Sequence, residues 1–256
     1  PVIPALCGIT TVQGGSDKQR PRLIRTILPD KLTAITAAQA ISAALLSRFK
    51  TGKGQHVRLS MLDTLISFMW SSDMNNHTFR AELDRAEKPA SEIDLIYDTS
   101  DGYMTVAVNT DREWNGLIRA LDRSEWLNDE RFSTPKLRAK NIDVRLKLIQ
   151  EVLAKKKTEY WIGRFDKERV PCSKVLTRRE MLENEQVVNN GIIMEYDHPK
   201  VGPIRQARSP AEFSLTPTCE PVGAPTLGQH TKEVLLESGL TKTEISALFL
   251  EGVVEG

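Results

Sequence analysis

Residues 29–55, PDKLTAITAAQAISAALLSRFKTGKGQ, contain the strongest helical pattern of the chain. Apolar side chains recur every three or four positions, at Leu32, Ile35, Ala38, Ile41, Leu45 and Phe49. This period is typical of an α-helix, and the small residues at the other positions predict that several sides of the helix are packed. Asp30 follows Pro29 at the start of the run, where a carboxylate can accept backbone N–H bonds at the positive end of the helix dipole.

The segment after this helix predicts a layer of helices and strands. Thr51-Gly52-Lys53-Gly54 ends the helix, because glycine readily adopts the left-handed conformation of a C-cap. Residues 56–61 alternate between apolar and polar side chains, which predicts a strand, and residues 62–70 return to a helical pattern. The order helix, turn, strand, helix predicts an α/β fold.

The composition excludes several classes of partner. The chain has 256 residues, of which 40% are hydrophobic and 27% charged, with a net charge of +1. Without a stripe of basic and aromatic residues, we predict no nucleic-acid partner. No uninterrupted apolar run approaches the roughly 18 residues of a membrane helix, so we predict no membrane partner. Cys7, Cys172 and Cys219 form no CxxC pair, which favours reduced cysteines, a cytoplasmic location and no metal site.

The rest of the chain divides by composition. Residues 1–70 form the first part of a large domain, and polar residues 71–95 form a linker. A small α+β domain is predicted over residues 96–195, where Ser100-Asp101-Gly102 indicates a hairpin turn. Within it, Asp111 is predicted to cap a helix, and residues 136–154 are predicted to form one long amphipathic helix. Proline and glycine are frequent over residues 196–227, which predicts an extended crossing. Residues 228–256 are predicted to form C-terminal helices, and Thr241 to Glu244 has the pattern of a capping box.

From the residues alone, the chemistry stays open. The chain contains no GxSxG, HExxH or GxGxxG motif. Aspartate is a favoured residue at helix starts, so Asp30 is by itself more often a helix cap than a catalytic group.

The spacing around Asp30 resembles that of family III CoA-transferases. Asp30 precedes Gln55, the end of the TGxGQ turn, by 25 residues, and Ala40-Ile41, Arg48, Ser60-Met61 and Asp63 extend the similarity. Further similar motifs lie across the chain, at Asp101-Gly102-Tyr103, Val170-Pro171-Cys172, His198-Pro199 and Leu227-Gly228. The resemblance implies a Rossmann-like large domain built from both chain ends, an inserted small domain and an interlocked homodimer. It also implies that the N-terminal portion of the family fold, with most CoA contacts, lies upstream of Pro1.

The resemblance also implies a function. It makes Asp30 the nucleophile that carries CoA as an aspartyl-CoA thioester, from an acyl-CoA to a carboxylic acid. Met61 is implied to line the CoA pocket, although core packing explains it equally well. CoA is then a substrate, and no tightly bound cofactor and no metal are expected. Two alternatives stay open: an enzyme like the α-methylacyl-CoA racemases, and an inactive fragment or non-catalytic binding subunit.

Overall fold

The computed structural model describes residues 1–16, 18–78, 93–219 and 223–255. The chain separates into two compact units, Pro1–Val175 and Leu176–Gly256. Each unit is described by itself.

Four helices form the N-terminal part of the first unit: α1 (Val2–Leu6), α2 (Ile9–Gly14), α3 (Leu28–Thr51) and α4 (Met61–Trp70). They share a small apolar core, which we call the N-terminal cluster. Its buried members are Cys7, Ile9, Leu65 and Met69, and partly buried side chains pack around them at Ile3, Val12, Ile24, Leu28, Leu32, Met61, Leu62 and Ile66. Helix α4 contributes five of these twelve side chains, more than any other helix, and it contacts both α1 and α3.

Helix α3 confirms the predicted helix but not its predicted packing. Beyond Leu32, its large apolar side chains are exposed, at Ile35, Ile41, Leu45, Leu46 and Phe49. Phe49 keeps 89% of its surface accessible. The expectation of a helix packed on several sides is wrong for the described residues, because α3 is anchored mainly through its first turn. By length and composition alone, α3 could also cross a membrane, so the absence of a membrane partner stays a prediction.

The strand predicted over residues 56–61 is not formed. Residues 53–60 have no regular structure, and every one of them is exposed. Alternating side chains give a strand only when a neighbouring strand accepts its backbone hydrogen bonds. No strand among the described residues pairs with this segment.

The remainder of the first unit begins with an antiparallel sheet of β1 (Ile96–Asp98), β2 (Tyr103–Val106) and β3 (Cys172–Lys174). The predicted turn at Ser100-Asp101-Gly102 connects β1 to β2, which pair with Asp98 opposite Tyr103. Strand β3 then pairs with β2, with Val106 opposite Cys172.

Four helices lie between β2 and β3 in the chain: α5 (Asp111–Ala120), α6 (Pro135–Lys140), α7 (Ile142–Leu153) and α8 (Thr158–Lys167). Two predicted details change. Thr110, not Asp111, caps α5, since its hydroxyl accepts the Glu113 N–H while the Glu113 carboxylate accepts the Thr110 N–H. The single helix predicted over residues 136–154 is broken at Asn141 into α6 and α7.

The main core lies between this sheet and these helices. Its buried side chains are Tyr97, Met104, Val106, Trp114, Leu117, Ile118, Ala120, Leu121, Trp126, Phe132, Ile149, Val152, Leu153, Trp161, Phe165 and Val170. Trp114 stacks on Trp126 and meets Phe132 edge-on, with ring centroids 6.3 and 5.5 Å away. Aromatic rings at these distances attract one another beyond their burial.

The second unit contains short elements: α9 (Arg178–Glu183), α10 (Glu185–Asn189), β4 (Ile193–His198), β5 (Gly202–Ala207), α11 (Thr231–Glu237) and α12 (Lys242–Leu250). Strands β4 and β5 form an antiparallel hairpin that begins at the end of the predicted small domain and continues into the stretch where an extended crossing is predicted. The capping box predicted from Thr241 to Glu244 is present and starts α12.

The fold class is mixed helix and sheet, as predicted. Both sheets of the described residues are antiparallel, so the Rossmann-like layer implied by the resemblance does not occur within them. The predicted domain boundaries stay predictions, and the predicted linker lies largely outside the described residues, at 79–92.

Candidate active site

The first turn of α3 is fixed to the N-terminal cluster by its apolar side. Leu28 and Leu32, four residues apart and therefore on one face, pack against the cluster, and Pro29 is buried between them. Pro29 suits this position because its fixed φ is helical and its missing N–H would have no acceptor in the first turn. The Thr33 hydroxyl donates to the Pro29 carbonyl oxygen at 2.7 Å. The backbone beside Asp30 is therefore rigidly placed.

Asp30 lies on the other side of this turn. It is the third helical residue after the N-cap Ile27, and it is exposed. No side-chain hydrogen bond or ion pair joins its carboxylate to any residue that the structure describes. The position places the carboxylate at the positive end of the α3 dipole. An accessible carboxylate on a fixed turn can attack an electrophilic carbonyl carbon.

The residue next to Asp30 is a lysine with a defined position. The Lys31 ammonium donates to the Thr26 hydroxyl at 3.2 Å, which turns the side chain back toward the segment before the helix. The sequence analysis did not single out Lys31. The available signal was the basic residue adjoining the candidate nucleophile, on a helix whose next charged side chain is Arg48.

The turn whose spacing marks Asp30 does not lie beside it. Gly52 adopts a left-handed conformation with φ of +71° and donates its N–H to the Arg48 carbonyl oxygen, which ends α3. An α-helix rises 1.5 Å per residue, so Gly52 and Asp30 are about 33 Å apart. The spacing between Asp30 and the turn in the sequence therefore corresponds to the length of α3, which begins beside Asp30 and ends at the turn.

Met61, the predicted CoA contact, is the first residue of α4. Ser60 caps that helix by accepting the Asp63 N–H, and Met61 is partly buried against the N-terminal cluster. Its location is therefore explained by packing, and its contact with CoA stays a prediction.

The histidines form no metal site with other described residues. His56 is exposed in the segment after α3. In the second unit, one ring nitrogen of His198 lies 2.9 Å from the Ala224 carbonyl oxygen, and His230 contacts Glu233 at 3.1 Å. A cavity of about 390 Å³ in that unit is lined mainly by apolar atoms of residues 225–235.

Known structures resemble this fold over most of the chain. The structure of a CAIB/BAIF family protein from Brucella suis superimposes with a TM-score of 0.72 at 25% identity, over 92% of this chain and 61% of the Brucella chain. The structure of Rv3272 from Mycobacterium tuberculosis gives a TM-score of 0.75 over 90% of this chain and 61% of the other. At 22% identity, that second likeness concerns the fold alone.

Sequence comparison names the family. The sequence model of CoA-transferase family III matches residues 1–231, so the chain belongs to that family. Succinyl-CoA:glutarate CoA-transferase of Mus musculus is 26% identical over 99% of this chain, and formyl-CoA:oxalate CoA-transferase of Streptomyces coelicolor is 25% identical over 88%. The chain spans 59% of the length of each of these two relatives.

Proposed function

We propose that the protein containing this chain transfers CoA from an acyl-CoA thioester to a carboxylic acid, with Asp30 as the nucleophile. One observation carries the proposal: Asp30 is an exposed carboxylate on a turn fixed by Leu28, Pro29 and Leu32. Membership of CoA-transferase family III supports the reaction type, and the names of the mouse and Streptomyces relatives describe CoA transfer between acids.

The reaction conserves its charges. An Asp30 oxygen attacks the thioester carbonyl carbon, the C–S bond breaks, and a mixed anhydride and CoA thiolate result. The thiolate attacks the Asp30 carbonyl carbon, which releases the donor acid as a carboxylate and leaves an aspartyl-CoA thioester. The acceptor carboxylate then attacks the carbonyl carbon of the aspartyl-CoA thioester, which releases CoA thiolate and forms a second mixed anhydride. The thiolate attacks the acceptor carbonyl carbon of this anhydride, which gives the new acyl-CoA and restores the Asp30 carboxylate. Covalent catalysis of this kind divides one difficult exchange into easier steps.

The first turn of α3 can assist these steps. The N–H groups at a helix start have no carbonyl partner within the helix, and Pro29 has no backbone N–H. The N–H of Asp30 can therefore stabilise the oxyanion that forms during each attack. Met61 is proposed as a CoA contact.

The assembly around this site is also a proposal. We place α3 and the C-terminal helices in a Rossmann-like large domain, with the small domain inserted over residues 96–195. The apolar side chains exposed along α3 support a homodimer, because an unpaired apolar face of this length favours association. Sedimentation of the complete protein at several concentrations tests the dimer. A cytoplasmic location, with no membrane or nucleic-acid partner, completes the proposal.

Trapping the intermediate tests the reaction. The complete protein, incubated with acyl-CoA and then hydroxylamine, is expected to carry a hydroxamate at Asp30, found by peptide mass spectrometry. The D30N variant should show no hydroxamate and lose at least about 10³-fold in turnover, since the covalent path is closed. An active protein whose Asp30 stays unmodified contradicts the nucleophile assignment.

The same preparation separates the alternatives. An enzyme like the α-methylacyl-CoA racemases exchanges the α-hydrogen of acyl-CoA for deuterium without any acceptor acid, whereas a transferase needs the acid for turnover. A non-catalytic subunit shows neither deuterium uptake nor a hydroxamate.

A further inference from the structure

The sequence contains two Asn-Gly pairs, Asn115-Gly116 and Asn190-Gly191. An asparagine that precedes glycine is prone to lose its side-chain amide, because the glycine backbone nitrogen can attack the side-chain carbonyl carbon without obstruction from a Cβ. The two pairs lie in different surroundings, so the structure predicts different reactivity for the same two residue types.

The first pair is enclosed. Asn115 and Gly116 lie within α5, and Gly116 is buried. A Cβ at Gly116 would lie 2.9 Å from a Val170 methyl group and 3.0 Å from the Glu168 carbonyl oxygen. Backbone N–H groups inside a helix are hydrogen-bonded to the preceding turn. Attack by the Gly116 nitrogen would therefore require α5 to unwind within the main core.

The second pair is open to solvent. Asn190 is the C-cap residue of α10, a helix of five residues, and both Asn190 and Gly191 are exposed. Gly191 has a left-handed φ of +57°, and a Cβ there would meet no described atom within 4 Å. Water and hydroxide can therefore reach this pair in the folded protein.

The backbone conformation at Asn190 opposes the reaction. In the succinimide ring that the attack forms, the Asn190 Cβ and the Gly191 nitrogen are nearly eclipsed, which requires a ψ of about −120° at Asn190. The observed ψ is −14°. The peptide between the two residues must therefore rotate, which moves the Asn190 carbonyl oxygen and breaks the hydrogen bond, 3.0 Å long, from the Gly191 N–H to the Val188 carbonyl oxygen.

Arg208 holds this peptide against rotation. Its Nη2 donates to the Asn190 carbonyl oxygen at 2.8 Å, and its Nε donates to the Gly191 carbonyl oxygen at 2.9 Å. Its Nη1 donates to the Ser209 carbonyl oxygen at 2.8 Å, and an ion pair joins the guanidinium to Glu212. A guanidinium is planar, so one rigid group fixes two consecutive carbonyl groups at once.

Gln186 acts on the side chain of the same residue. Its amide nitrogen donates to the Asn190 Oδ1 at 2.8 Å, one helical turn away. This oxygen gains negative charge when the neighbouring carbon is attacked, and a donor placed there stabilises that charge. The site thus combines a donor that favours the attack with a clamp that prevents the backbone from making it.

We propose that Asn190 is a site of spontaneous deamidation, and that Arg208 controls its rate. The Gly191 nitrogen gives its proton to hydroxide and attacks the Asn190 side-chain carbonyl carbon. The bond from that carbon to the amide nitrogen breaks, ammonia leaves with a proton from water, and a succinimide remains. Water then adds to either ring carbonyl carbon and gives aspartate or isoaspartate. The inference does not depend on CoA transfer.

The product differs from the native chain in charge and in backbone length. Both products carry a carboxylate where Asn190 has a neutral amide. In isoaspartate the main chain passes through the former side chain and gains one CH₂ group, so Arg208 can no longer meet both carbonyl oxygens with its native geometry. Deamidation therefore removes the clamp that joins β5 to the segment between α10 and β4.

Incubation of the complete protein at pH 8 tests the site. Peptide mass spectrometry follows deamidation of Asn190 and Asn115 in the same sample, with and without urea. In the folded protein Asn190 should react first, whereas in urea the two rates should approach each other. The assignment is overturned if native Asn115 reacts as fast as Asn190. It is also overturned if native Asn190 stays intact while the urea-unfolded chain reacts completely.

The R208Q variant tests the clamp, with R205Q as its matched control. Arg205 also lies on β5, but its Nε donates to the Glu195 carboxylate at 2.6 Å and contacts neither residue of the pair. R208Q should deamidate at Asn190 roughly tenfold faster than the wild type, because two hydrogen bonds that oppose the rotation are lost. R205Q should keep the wild-type rate. A wild-type rate in folded R208Q would overturn the clamp.

Hydrogen exchange of the β4–β5 hairpin shows whether each variant keeps its second unit folded. If R208Q loses this protection, R208K decides. Lysine keeps the positive charge, but its ammonium lacks the planar fork that spans two carbonyl groups. With hairpin protection at the wild-type level, R208K should still deamidate severalfold faster at Asn190 and unchanged at Asn115. Wild-type behaviour of R208K at Asn190 would overturn the inference.

Discussion

Tyr97 shows how burial changes the chemistry of a single side chain. It lies on β1 with 3% of its surface exposed, and desolvation raises the pKa of its phenol from 10.0 to about 12, against a smaller lowering by Arg145. The native state thus keeps a proton that the unfolded state loses near pH 10. The contribution of the protonated phenol to the free energy of unfolding is fully present below pH 10 and is lost as the pH rises toward 12.

We expect Y97F to remove this pH dependence. Between pH 9 and pH 11, the free energy of unfolding of the wild type should fall by about 1 kcal/mol more than that of Y97F. Urea unfolding at pH 9, 10 and 11 measures the difference. Parallel pH profiles for the two proteins would show that the pKa of Tyr97 is not raised in the folded state.

The cysteines should differ sharply in reactivity. Burial raises the pKa of the Cys172 thiol to about 11, with a smaller contribution from Asp166, whereas Cys219 is exposed. The thiolate is the reactive form, so at pH 8 only about one Cys172 in a thousand is reactive. Iodoacetamide should therefore modify Cys219 well before Cys172, as followed by peptide mass spectrometry. Equal rates would mean that Cys172 is more accessible than its position on β3 indicates.

At the scale of elements, local signals predicted the helices better than the strands. Capping at Thr241 and the helix ends at Asp30 and Gly52 depend on neighbouring residues, and the sequence contains those signals. The strand over residues 56–61 required a distant partner, which no local pattern specifies. Asp101 was predicted only as a turn residue. In the structure its carboxylate also accepts the backbone N–H of Thr158, 57 residues away, at 2.8 Å.

Two helical glycines, Gly116 in α5 and Gly163 in α8, compare a closely packed position with an open one. A Cβ at Gly116 would lie 2.9 Å from a Val170 methyl group and 3.0 Å from the Glu168 carbonyl oxygen. We expect G116A to destabilise the protein by about 1–3 kcal/mol, because overpacking exceeds the gain in helix propensity. Gly163 in α8 has no atom within 4 Å of its Cβ position, so G163A should stabilise by about 0.5–1 kcal/mol. Thermal unfolding compares them, and a shift of equal sign in both would contradict the packing argument.

For the whole molecule, the sequence predicted the class of fold but not which surfaces are covered. The period of α3 implied an inward face, yet Ile35 is 69% exposed and Phe49 more so. Periodicity defines which side chains share a face, whereas their burial depends on what packs there. The same limit applies to the site. Spacing and family resemblance predicted Asp30 as a site residue, whereas the direction of Lys31 toward Thr26 is seen only in the structure.

The two compact units should differ in stability, because burial is concentrated in the first. Sixteen buried side chains form the main core between Tyr97 and Val170, whereas Ile245 is the one buried side chain among the described residues of the second unit. Local opening costs least where little apolar surface is buried. In hydrogen exchange followed by mass spectrometry, amides of the β4–β5 hairpin and α12 should exchange at least ~100-fold faster than those of β2, α5 and α7, after correction for intrinsic rates. Equal protection in both units would mean that the chain opens as one cooperative structure, and it would assign the second unit a source of stability other than its own core.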